Sequence, residues 1–135
     1  MMTISHSKTL LVILQNAWGV NAEYYPAYEI DSFANSVTGR RLRMALPDNC
    51  KVVITNASMQ IGDTADSVFP PDIEHVRAAI NHCKPSVILA CGVVAQQAIH
   101  QIEPNVPVIS MWHPAHRCFS KMMAEAVKCE LEGLL

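Results

Sequence analysis

Charge is scarce in this sequence. Only 16% of its 135 residues are Asp, Glu, Lys or Arg, and the formal net charge is −2, where an average globular protein is about a quarter charged. Binding to nucleic acid or an anionic membrane through the overall field is thereby excluded, and any such contact has to come from a local cluster. Glycine is sparse too. The five glycines are scattered and form neither a phosphate-cradling loop nor a dinucleotide fingerprint. There is no Gly-x-Ser-x-Gly elbow, and no cysteine follows a strand at a helix start, so a serine or cysteine nucleophile has no frame. Long hydrophobic runs are missing. No stretch approaches a membrane span. The run Leu10 to Leu14 is too short for a signal-peptide core and has no small-residue cleavage site after it. Paired cysteine spacings are also absent: the five cysteines are an odd number without a disulfide or zinc framework. Cys50, Cys83, Cys91 and Cys129 sit in or beside apolar runs and read as small hydrophobes. These absences imply a reducing, intracellular, cytoplasmic protein with no membrane partner and no cofactor.

Half of the residues are hydrophobic, enough for a sizeable core in one domain spanning residues 1–135. Four short β-branched runs stand out: Thr9–Gln15, Val52–Thr55, Ser86–Cys91 and Val106–Ser110. Each is nearly continuously apolar, as parallel strands covered on both faces are. Between them the spacing becomes helical. Phe33 to Leu46 carries Val37, Leu42 and Leu46. Asp72 to Cys83 follows Pro70-Pro71 with Ile73, Val76, Ala79, Ile80 and Cys83. Val93 to Ile102 and the tail from Phe119 repeat the pattern. The order βαβαβαβα predicts a three-layer αβα fold with a four-stranded parallel sheet in the order 2-1-3-4. Ligands of such sheets bind outside the carboxyl ends of the strands, near the point where strand order reverses.

Reading just past each strand therefore locates a candidate site. Strand one is followed by Gln15-Asn16-Ala17-Trp18-Gly19, strand two by Asn56-Ala57-Ser58, strand three by Gly92-Val93-Val94-Ala95-Gln96, and strand four by Trp112-His113-Pro114-Ala115-His116-Arg117. Two carboxamides, an imidazole and an indole share one rim, with no carboxylate among them. Taken singly, each also fits a plainer role: asparagines satisfying turn backbones, or a loop histidine bonded to a carbonyl. Their joint placement on the ligand-binding edge is the stronger signal. His113, His116 and Cys118 cluster, with Cys83 or Cys91 as further thiols, but the spacing is not that of a structural zinc site, and no metal is expected.

At these residues the sequence resembles the uracil-DNA glycosylase superfamily. Leu14-Gln15-Asn16-Ala17-Trp18-Gly19 resembles the first glycosylase motif, a strand ending in Gly-Gln-Asp-Pro-Tyr or Gly-Ile-Asn-Pro-Gly. Ser36 to Leu42 resembles the glycine-led helix that follows it. Val53-Ile54-Thr55-Asn56-Ala57 is similar to the Ile-Thr-Asn segment whose asparagine reads the base. Pro85 to Leu89 with Gly92, Ala95 and Gln96 resembles the third strand and its helix, and Trp112-His113-Pro114-Ala115 resembles the His-Pro-Ser or His-Pro-Ala motif. The likeness runs from about Leu10 to about Lys121 in the family's order. It implies hydrolysis of the N-glycosidic bond of uracil or a related modified pyrimidine in DNA. It further implies catalytic roles for Asn16 and His113, and base contacts for Gln15, Trp18, Phe33 and Asn56. Arg117, His116 and Gln96 would contact DNA.

The residue types suit that chemistry. A flipped base has to be read along its Watson–Crick edge, and a carboxamide offers the donor and acceptor that uracil O4 and N3–H require. A histidine that donates to O2 stabilises the anion that develops on the departing base. Trp18 is placed as a wall against a 5-methyl group, and Phe33 as a stacking surface. Departures from the family pattern are specific. Asn16 stands where the most active branches have aspartate, although the mismatch-specific branch also has asparagine. Leu14 replaces a glycine and Ala17 a proline. Val93-Val94 and His116-Arg117 replace the serine clamps and the apolar wedge, and the iron–sulfur branch's amino-terminal cysteine pair is missing. Arg40, Arg41, Arg43 and Lys51 form one basic group, readable also as a solvated helix face, and Arg117 with Lys121 another. Weak, salt-sensitive DNA binding by a monomer is expected. The alternative is a non-catalytic base- or DNA-binding protein that retains the glycosylase fold and pocket; a flavodoxin-like interaction domain is the third reading.

Overall fold

Apolar runs without alternation need cover on two faces, and the four strands have it. The computed structural model of the chain describes residues 8–17, 27, 36–64 and 66–135. Strands β1 (Thr9–Leu14), β2 (Lys51–Asn56), β3 (Val87–Cys91) and β4 (Val108–Met111) form one parallel sheet in the order β2-β1-β3-β4. Helices α1 (Val37–Arg43), α2 (Ile73–Cys83), α3 (Val93–Ile102) and α4 (Lys121–Leu134) alternate with the strands. Leu10, Val12, Leu14, Ile54, Leu89, Cys91 and Met111 pack on one side of the sheet with Leu42 of α1 and Ala124, Val127 and Leu131 of α4. Leu11, Ile13, Ile88 and Ala90 pack on the other side with Val76 of α2 and Val94, Ala95, Ala98 and Ile99 of α3. Neighbouring residues in a strand point to opposite faces, which is why β3, buried throughout, and β1 from Leu10 to Leu14 have no polar positions.

The ends of the elements follow local chemistry. Ser36, Asp72 and Ser120 cap α1, α2 and α4, each side chain accepting from a backbone amide three residues on. Lys84 and Glu103 end α2 and α3 in the left-handed conformation, with φ of 48° and 51°, and a proline follows each. Strand β4 begins after Pro107, later than the apolar run suggested, because proline has no N–H for the ladder; Pro107 still accepts from Ile88 through its carbonyl. Val106 packs against the core from outside the strand.

Three expectations are corrected. Val37 is 56% exposed, because it lies in the first turn of α1, and Leu42, Ala45 and Leu46 do the burying. Cys129 is exposed on α4 and Cys50 and Cys83 are only half-buried; of the four cysteines read as hydrophobes, Cys91 alone is fully inside. Asn56 is the last residue of β2 rather than the first beyond it, so the pleat fixes the direction of its side chain. Among the described residues, no helix is long and apolar enough to cross a membrane.

Candidate functional site

Parallel registers bring the strand ends to a common level. Leu14 pairs with Asn56, Ile13 with Ala90 and Cys91 with Met111. Asn16 and His113 each lie two residues past that level, after β1 and β4. Strands lie ~4.8 Å apart, so roughly 10 Å separates the Asn16 and His113 main chains, and roughly 14 Å those of Asn56 and His113. Among the described residues, no hydrogen bond joins any two of the three; Asn16 and His113 are held by their own loops and Asn56 by the end of β2.

His113 is the most constrained. The Ala115 amide donates to its Nδ1 at 3.0 Å, so the neutral ring carries its proton on Nε2. Burial lowers its pKa to about 4, with the nearby His116 adding in the same direction, and at neutral pH the ring is an uncharged donor. Two contacts hold its position. Gly92, with φ of +91°, presses bare backbone against it, and a Cβ there would stand 3.3 Å from the Cβ of His113. From α1, Arg41 donates through Nη1 to the carbonyls of Pro114 (2.9 Å) and His116 (3.5 Å), while its guanidinium lies 5.9 Å from the centre of the Phe119 ring. The loop after β4 is thereby tied to the helix that precedes β2.

On β1's side, Asn16 donates through Nδ2 to the Ala17 carbonyl at 2.9 Å. Its Oδ1 is buried and, among the described residues, has no hydrogen-bond partner, a state that native proteins rarely leave unanswered. The loop after β2 closes over it. The Gly62 amide donates to the Ala17 carbonyl at 2.8 Å, and a Cβ at Gly62 would overlap Ser67 and come within 3.3 Å of Asn16 Nδ2. Gln15 donates to the Ser67 carbonyl at 3.1 Å, so its carboxamide supports this loop.

Asn56 is 7% exposed and, among the described residues, its carboxamide takes no hydrogen bond. Below it, on the opposite face of β2, the fully buried Thr55 hydroxyl lies 2.7 Å from Nε2 of His75 on α2. Burial lowers the His75 pKa against a smaller opposing effect of Asp72.

The remaining expected residues divide. Gln96 donates to the Met111 carbonyl at 3.4 Å, tying α3 to the end of β4. His116 accepts the Cys118 amide at Nδ1 (3.0 Å) and stacks on Trp112, with centroids 4.5 Å apart and planes 17° off parallel. Arg117 is exposed at the rim. Trp18 and Phe33 lie outside the described residues. The basic group around α1 is not a unit: Lys51 pairs with Thr9 at the amino end of the sheet, opposite the rim, and Arg41 holds the His113 loop. Among the described residues, no three His, Cys, Asp or Glu side chains gather as metal ligands.

Reading only the residues just past each strand missed the loop at 58–72. It carries Gly62 and Ser67 to Asn16, and its far end lines a cleft of about 500 Å³ with Ser58, Gln60, Pro70, Asp72 and Glu74. Neither Asn16, Asn56 nor His113 lines that cleft. The available signal was Gly62 within a long stretch lacking any apolar period. Comparison with protein-family models yields no match to the chain, and comparison with curated proteins yields none either.

Proposed function

We propose that the chain is a cytoplasmic DNA glycosylase of the uracil-DNA glycosylase type, hydrolysing the N-glycosidic bond of uracil or a related modified pyrimidine. The observation that carries this reading is the His113 ring. It is neutral, its Nε2–H is fixed as a donor by the Ala115 amide, and it stands across the sheet end from an unpartnered acceptor, Asn16 Oδ1. Breaking the bond between C1′ and the base leaves the electron pair on the base and positive charge on the sugar. Nε2–H of His113 donates to O2, where the negative charge grows, and a fixed donor aimed at developing charge is the largest single lever in such reactions. The Asn56 carboxamide reads O4 and N3–H. In this reading Asn16 positions the attacking water at C1′ through Oδ1, which lies buried beside the loop after β2, so the role requires that side chain to turn outward when substrate binds. An amide positions this water without taking its proton, which passes to the departing base anion or to solvent as the C1′–O bond forms, and slow turnover follows.

Uracil-containing single- and double-stranded oligonucleotides, incubated with the protein and then treated with alkali, test the reading. Strand cleavage at uracil is expected, and His113→Ala should lower it about 10²-fold or more. No cleavage across uracil, mismatched and 5-substituted pyrimidines would overturn it. One observation favours the second reading, a base-binding protein without turnover: the Asn16 amide is tied to the Ala17 carbonyl and has no ionisable oxygen. Binding of uracil without cleavage would identify it.

A further inference from the structure

The ring pair Trp112–His116 takes no part in the chemistry above. Trp112 is the first residue past β4, next to His113, and is 46% exposed although an indole is large and apolar. Its partner ring stacks at 4.5 Å, 17° from parallel. The partner ring is held in place: the Cys118 amide pins the His116 imidazole at 3.0 Å, and Arg41 holds the His116 and Pro114 carbonyls, so the indole stacks on a fixed surface. An exposed aromatic surface held rigid before binding loses little entropy when a flat ligand lands on it.

We infer that this pair is a landing surface for an unpaired nucleobase and that the substrate class of the rim is single-stranded DNA. The inference rests on the glycosylase reading for the reaction that follows, not for the binding. Two further observations choose the single strand over the duplex. Bases in a duplex already stack on one another, whereas every base of a single strand has a π-face to offer a protein ring. Duplex affinity also needs many phosphate contacts. Here the net charge is −2, and the exposed cations nearest the rings in sequence are Arg117 and Lys121, the latter facing Glu125 at 4.0 Å, too few for a duplex footprint. One base on the platform places the next at the mouth between His113 and Asn16.

Fluorescence anisotropy of labelled, uracil-free oligothymidylate and of a labelled hairpin duplex tests this with the full chain. The single strand should bind more tightly. Trp112→Ala should weaken it about five-fold or more, the size of one lost stacking contact, and Trp112→Phe should restore most of the binding. The slope of log K against log salt should lie between about −0.7 and −1.4, the value for one or two phosphates on a single strand. Equal or tighter duplex binding, or an unchanged affinity in a folded Trp112→Ala, overturns the inference. Alkali-revealed excision on matching uracil oligonucleotides separates the two ideas. Excision from duplex without preference for the single strand sinks the platform and leaves the glycosylase. Trp112-dependent single-strand binding without excision supports the platform and counts against the glycosylase.

Discussion

At the scale of single residues, the proposed site depends on hydrogen bonds that fix which atom would face a ligand. The amide of Ala115 selects the tautomer of His113, and in imidazole-labelled protein Nε2 should resonate as the protonated nitrogen from pH 5 upward. Activity should therefore lack an acid limb from His113 until the pH approaches 4. A profile falling near 6.5 would show that the ring charges as freely as in solution. Asn16 makes an opposite kind of test. Aspartate in its place puts an oxygen where Nδ2 now donates to the Ala17 carbonyl, leaving two acceptors facing each other. Asn16→Asp should cost about 1–3 kcal/mol in a urea melt, so any gain in turnover comes with lost stability. The placement of Asn16, Asn56 and His113 at the strand ends was legible in the sequence because the apolar runs mark where each strand stops. The tautomer and the orphan oxygen were not, since both depend on loop backbone.

At the scale of elements, loops after different strands hold one another. Arg41 on α1 fixes the loop after β4 by donating to the Pro114 carbonyl. A charged donor of this kind contributes about 1.5–3 kcal/mol. Arg41→Met should lower the melt by that order and let the His113 pKa rise toward its ordinary value, as imidazole shifts followed against pH would report. Arg41→Lys should restore only part, because a point charge does not replace a fork. Gly92→Ala should damage the same place from the other side, since a side chain is strained at φ of +91° and its Cβ would press on His113. The sequence signalled α2 well because its Asp72 cap and apolar spacing agree, and α3 by apolar spacing alone, since Gly92 offers no side-chain cap. It misread Arg41 as part of a basic group, because sequence neighbours on a short helix share charge but not direction.

At the scale of the whole molecule, the two-sided core and the rim respond differently to acid. His113 and His75 both have lowered pKa values, chiefly from burial, so the unfolded chain binds protons that the native one refuses. Stability is then full above pH 6.5 and declines as the pH falls toward 4. His113→Gln should flatten part of that decline in denaturation midpoints measured across the interval. Strand order was readable from the whole sequence because right-handed crossovers between buried strands leave few arrangements. The joining of the loop at 58–72 to Asn16 was not, because no periodicity announces a loop contact. The most direct test of the convergence of Asn16, Asn56 and His113 is a titration of free uracil into isotope-labelled protein, following the two carboxamides and the His113 ring nitrogens. All three should shift together along one saturation curve. Shifts confined to one of them, or none at saturating uracil, would contradict a shared binding site.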